Sequence, residues 1–309
     1  MPVNAQARAV LDLMGEQPLN PGAMSVSELR ELTDMPPTGL PAVGHVENRA
    51  LELNDVHVPV RIYHPDTPGP HRLMVYFHGG GWVICSLDTH DSTCRSLSNE
   101  TDSVVVSVGY RLSPEAKFPE PLEDCYHATQ WAVNNATSLN ADAGKLIVAG
   151  DSAGGNLSAA VTLMARDRIR NGDSAPSIAG HVAIYPVTNH NFGTESYAQN
   201  ANGLYLESDT MRWFWDQYLR NDADGQHVYA SPLLADLQDL PATLVITAEY
   251  DPLCDEGEAF AEKLKAAGVE TTLIRYDGQI HGFVGMADMI DDGAAALKAI
   301  GQYVVNNVQ

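Results

Sequence analysis

Leu146-Ile147-Val148-Ala149-Gly150-Asp151-Ser152-Ala153-Gly154 joins a short apolar run to a helical pattern that continues to about residue 170. Four apolar residues closed by a glycine read as a strand buried on both faces. Between strand and helix, Gly150–Gly154 forms G-x-S-x-G in the one context that gives this common pattern chemical meaning. The glycines are needed because the turn is tight and Ser152 must adopt a strained backbone conformation. The opening turn of the helix then leaves N–H groups without helical partners beside the serine hydroxyl.

Outward from this unit the same alternation repeats. Short β-rich runs lie at 49–53, 58–63, 73–78, 104–108, 182–185, 244–248 and 272–276, with helical patterns at 88–101, 120–137, 255–267 and 287–305. The alternation predicts an α/β fold with a mostly parallel, doubly wound sheet. The first two runs, joined only through Asn54-Asp55, predict an antiparallel hairpin at one edge. Residues 190–230 interrupt the pattern, and residues 1–44 precede it with helices at 3–16 and 27–33 and a proline-rich linker at 34–44. These two stretches are expected to form a small helical cap over a core of residues 45–189 and 231–309.

His78-Gly79-Gly80-Gly81-Trp82 ends the run at 73–77. Consecutive glycines let backbone N–H groups turn toward a ligand unobstructed. In an acyl-transfer enzyme the N–H groups of Gly79, Gly80, Gly81 and Ala153 would bind the oxyanion of a tetrahedral intermediate. With these two motifs in this order, the chain resembles the bacterial hormone-sensitive-lipase family of α/β-hydrolases. Val108–Glu115 with Phe118-Pro119 and Asp124, Tyr185-Pro186, Ser208–Leu219 and Ser231–Leu233 extend the resemblance over nearly the whole chain from about residue 40. One departure is Cys85, which stands where the family pattern places a glycine and is expected to narrow or stiffen that loop.

The family order of catalytic groups is Ser, then an acid, then His. Asp251 and His281 each follow a strand, on the sheet edge where Ser152 lies. By position alone Glu249 and Asp255 rival Asp251, and a helix N-cap would also explain it. The resemblance selects Asp251 through Asp251-Pro252-Leu253. It implies that His281 relays the Ser152 proton and that Asp251 orients His281. Trp82, Asp151, Tyr185, Phe214 and Phe283 are expected at the substrate pocket, with Asp151 read equally well as a partner of the neighbouring loop. Trp213, Phe214 and Trp215 are consecutive and cannot all share one helix face.

The resemblance implies a serine carboxylesterase acting on short- to medium-chain or aromatic esters through an acyl-enzyme, with no cofactor and no metal. An amidase or peptidase would use the same triad. A non-catalytic receptor on this fold, as in plant gibberellin receptors, lacks the catalytic histidine, whereas His281 is present. In 309 residues, 18 Lys plus Arg stand against 40 Asp plus Glu, a net charge of −22. Such a field argues against nucleic-acid and membrane-surface partners. The small-molecule ester is the expected partner, and the resemblance makes a homodimer possible. A first segment without a secretory pattern and cysteines without metal or redox spacing point to the cytoplasm. The seven-residue recurrence of His57, His64, His71 and His78 runs through prolines and strands, so it is no helical metal face. Asn221–Gly225 lacks the ligands of a calcium loop.

Overall fold

The apolar runs become the middle of one eight-stranded sheet, seen in a computed structural model that describes residues 2–15, 21–35, 39–53 and 56–309. The strands are β1 (His45–Leu53), β2 (Val56–His64), β3 (His71–Phe77), β4 (Ser103–Val108), β5 (Ala141–Asp151), β6 (Gly180–Ile184), β7 (Ala242–Tyr250) and β8 (Thr271–Ile280). The helices are α1 (Ala5–Met14), α2 (Val26–Thr33), α3 (Asp91–Thr101), α4 (Glu120–Asn135), α5 (Ala153–Arg170), α6 (Glu195–Gln199), α7 (Ser208–Tyr218), α8 (Cys254–Ala266) and α9 (Asp291–Asn307). The sheet order is β1-β2-β4-β3-β5-β6-β7-β8. β2 runs antiparallel to β1 and β4, and every other pairing is parallel. The expected edge hairpin is therefore present. Its Asn54-Asp55 connection lies outside the described residues, as do Pro36 and Pro37 of the expected linker.

The period of two along β3 divides the core. Leu73, Val75 and Phe77 join the cluster under α4 and α5, whereas Met74 and Tyr76 join the one under α3 and α9. Both faces of the strand are covered, which is why its sequence reads as an unbroken apolar run. Strand β6 stops one residue before the expected Tyr185, because Tyr185 takes φ +33° and leaves the extended region.

The residues outside the alternation divide between two places. Ala7 and Val10 of α1 are buried with Ile280, Phe283 and residues of α9. Leu29 of α2 is buried instead with Val83, Met211 and Phe214. Helix α2 starts in a capping box between Ser25 and Glu28. It is tied down by Arg30, whose Nε donates to Val83 O and whose Nη2 donates to Ser113 O, both at 2.8 Å. The same guanidinium pairs with Glu115 at 2.7 Å. Among the described residues no helix is long and apolar enough to cross a membrane.

Candidate active site

Ser152 sits between β5 and α5 with φ +55° and ψ −118°. A side chain held at positive φ costs on the order of 1–3 kcal/mol, and the surrounding hydrogen bonds and packing maintain it. The Ser152 N–H donates to Ile184 O at 2.9 Å, fixing the turn to the next strand. The helix must leave the strand so closely that a Cβ on Gly154 would run into the backbone oxygen of Phe77. This clash explains the last glycine of the motif.

Asp251 follows β7 and His281 follows β8, so adjacent strands deliver both to the C-terminal edge of the sheet where Ser152 stands. His281 Nε2 lies 2.9 Å from Ser152 Oγ, and His281 Nδ1 lies 2.6 Å from Asp251 Oδ2. The other Asp251 oxygen accepts the Leu253 N–H at 2.9 Å. All three side chains are buried. An ionised carboxylate only accepts, so Nδ1 carries the proton and the Nε2 lone pair faces the serine hydroxyl. The rival carboxylates point elsewhere: Glu249 accepts the Gly278 N–H and Asp255 the Ser196 N–H, each at 2.7 Å.

Gly80 and Gly81 have φ +104° and +57°, and a Cβ on Gly81 would collide with the Phe214 ring. The loop therefore brings bare backbone to the cavity that Ser152 also lines and up against the Phe214 ring. Gly79 differs from the expectation. Its N–H donates to Asp151 Oδ1 at 3.0 Å, which removes it from the groups that can meet an oxyanion. Asp151 also accepts the Tyr76 hydroxyl at 2.6 Å and lies 3.3 Å from His90 Nε2. Burial pushes its carboxyl upward, but His90 and Tyr76 outweigh this and hold it below the usual carboxylate range. Burial, with His90 beside it, pushes the His78 imidazole down to about 4, so that ring stays neutral at neutral pH.

A cavity of about 220 Å³ opens over Ser152 and His281. Of the expected pocket residues, Asp151, Tyr185 and Phe214 line it. Asp151 thus both borders the cavity and holds the glycine loop. Trp82 and Phe283 do not line it. Trp82 takes φ +61°, turns inward and stacks flat on Tyr218 at 4.2 Å. Phe283 is fully buried against Tyr185 and Tyr276. Both are large apolar rings that pack beneath the site instead of facing it.

Of the three consecutive aromatics, Phe214 faces the cavity and Trp215 is fully buried against Trp82. Met211 shares the Phe214 face at i, i+3, and Leu29 and Thr33 of α2 share another at i, i+4. The spacing of Leu29 and Thr33 is visible in the sequence, but nothing local ties it to a serine more than a hundred residues away.

Cys85 lines the cavity with φ +69°. Burial, with Asp151 nearby, pushes its thiol up to about 12, so it is no thiolate at neutral pH. Glycine takes this backbone conformation freely, whereas a side chain there costs roughly 1 kcal/mol. Cys85→Gly is accordingly expected to raise the urea midpoint of unfolding. A lower midpoint would show that packing of the thiol outweighs the strain.

A family model described as alpha/beta hydrolase fold matches residues 74–285. The chain is 38% identical over 245 residues to an arylesterase of Saccharolobus solfataricus, covering 79% of this chain and 78% of that protein. It is 36% identical over 261 residues to an ethyl acetate hydrolase of Pseudomonas putida, covering 82% and 80%. Among solved structures it is similar to a hyperthermophilic esterase from the archaeon Pyrobaculum calidifontis, with TM-score 0.90, 40% identity and 98% of each chain covered.

Proposed function

We propose that this chain, which belongs to the hormone-sensitive-lipase-like family of alpha/beta hydrolases and is a carboxylic-ester hydrolase, cleaves short- to medium-chain or aromatic esters through an acyl-enzyme. The observation that carries this reading is the continuous chain from Ser152 Oγ through His281 to Asp251, at 2.9 and 2.6 Å. In the first step Ser152 Oγ attacks the ester carbonyl while His281 Nε2 takes its proton. The carbonyl oxygen becomes an oxyanion facing the N–H groups of Gly80, Gly81 and Ala153, the last at the unpaired opening turn of α5. As the tetrahedral intermediate collapses, His281 returns the proton to the departing alcohol and the acyl group stays on Ser152. Water then repeats the sequence and releases the acid, regenerating the serine hydroxyl.

Of the stretches expected to form the cap, 1–44 and 190–230, this reading keeps residues 26–33 with 190–230, because α1 packs instead with Ile280, Phe283 and α9. The apolar wall of Leu29, Met211 and Phe214 receives the acyl chain. A cavity this small favours modest acyl groups. The test is a series of p-nitrophenyl esters from acetate to octanoate, with the matching anilides alongside. Turnover of esters well above anilides, highest at butyrate or hexanoate, is expected. Anilide turnover equal to that of the esters would turn the reading toward an amidase. In Phe214→Ala the octanoate-to-butyrate ratio of kcat/KM is expected to rise about fourfold or more, the effect of accommodating one further methylene. An unchanged ratio would remove Phe214 from the acyl wall.

A further inference from the structure

The loop carrying Asp251 is held by a second set of hydrogen bonds, and these come from the segment that walls the cavity. Asn200 follows α6 and is buried; its side-chain amide donates to the backbone oxygens of Glu249 and Asp251, each at 3.2 Å. The β7–β8 ladder shifts register between Ala248 and Tyr250, so a bulge interrupts regular strand pairing where these carbonyls project. An amide with two N–H groups can satisfy two oxygens that lie two residues apart, whereas a hydroxyl can donate only once. Ser196 adds to the clamp by donating its hydroxyl to Pro252 O at 2.6 Å. Ser208 at the start of α7 donates its hydroxyl to Tyr197 O at 2.7 Å. A hydrogen-bonded path therefore runs from the helix bearing Met211 and Phe214, through α6, to the backbone of the triad acid. Neither Asn200 nor Ser196 lines the cavity.

We propose that Asn200 is a positioning residue that acts through Asp251: it fixes the backbone from which the carboxylate meets His281 and couples the cavity wall to the acid. The proposal rests on the triad reading above. A displaced carboxylate would leave substrate binding intact but impair orientation of the imidazole. The loss should therefore fall on kcat and depend on the presence of Asp251.

The experiment is a double-mutant cycle in the full chain, with Asn200→Ala and Asp251→Asn measured singly and together on p-nitrophenyl butyrate. Asn200→Ala is expected to lower kcat on the order of tenfold with KM within about threefold of wild type. In the Asp251→Asn background the same substitution is expected to change kcat by less than about threefold, because the group it positions no longer acts. Asn200→Asp, which keeps the shape but replaces a donor with an acceptor, should lose at least as much as Asn200→Ala. Should Asn200→Ala not be recovered folded, Ser196→Ala carries the test, with a smaller kcat loss that likewise vanishes in the Asp251→Asn background. Wild-type kcat in the recovered single variant, or an equal loss in both backgrounds, overturns the proposal while the triad reading stands. Full activity in Asp251→Asn alone overturns the triad reading and this inference with it.

Discussion

Ser152→Ala is expected to lower kcat by roughly 10³-fold or more while the protein stays folded. The serine oxygen faces the His281 Nε2 lone pair and lies beside the open turn of α5. Without it no acyl-enzyme forms, and what remains is whatever the backbone N–H groups and binding confer on attack by water. The fold should survive because, among the described residues, the Ser152 side chain bonds to the imidazole alone, and alanine carries the same backbone strain at φ +55°. The comparison is steady-state turnover of p-nitrophenyl butyrate, with circular dichroism to confirm folding and a reactive phosphonate to label the nucleophile. Wild type should be labelled at Ser152 and the variant left unmodified. Retention of more than a tenth of the wild-type rate would exclude Ser152 as the nucleophile.

What the sequence disclosed, and what it concealed, follows from the range of the forces involved. β5, the turn and α5 are legible because each is a local event: an apolar run, glycines where a Cβ would strike backbone, and a helix start. The strand ends that bring Ser152, Asp251 and His281 together are legible for the same reason, once parallel order places them on one edge. The use of the Gly79 N–H was hidden, because it depends on Asp151 reaching back 72 residues to accept it. Trp82 and Phe283 adjoin the motifs in sequence but turn away from the cavity. For Trp82 this is a matter of a positive φ, which residue type does not foretell. Leu29 reaches the site on α2, which is held there by apolar packing with Val83, Met211 and Phe214 and by Arg30 bonding to the carbonyls of Val83 and Ser113. Asn200 is more distant still from any motif, and its role becomes visible only where the β7–β8 ladder breaks.

The second large effect is expected in Asp251→Asn, at roughly 10²–10⁴-fold in kcat. The reason is local hydrogen-bond bookkeeping around a fully buried group. Asp251 accepts twice, from the Leu253 N–H through Oδ1 and from His281 Nδ1–H through Oδ2. An asparagine side chain has one acceptor oxygen and one donor amide in place of the two acceptors. If its oxygen faces His281, its amide opposes the Leu253 N–H, donor against donor, in a site closed to water. If it turns over to satisfy Leu253, the amide faces His281 Nδ1 and that nitrogen must give up its proton. The imidazole then carries its hydrogen on Nε2, where the serine needs a lone pair. The backbone donor favours this second arrangement, so the histidine remains in place as the wrong tautomer and cannot accept the Ser152 proton. Glu249→Gln and Asp255→Asn alter carboxylates bonded to Gly278 and Ser196, away from the imidazole, and should keep most of the activity. The measurement is kcat for the three variants on one ester, with thermal unfolding to confirm that each is folded. Near-wild-type turnover in Asp251→Asn, with a large loss in either of the others, would transfer the role of the acid to that residue.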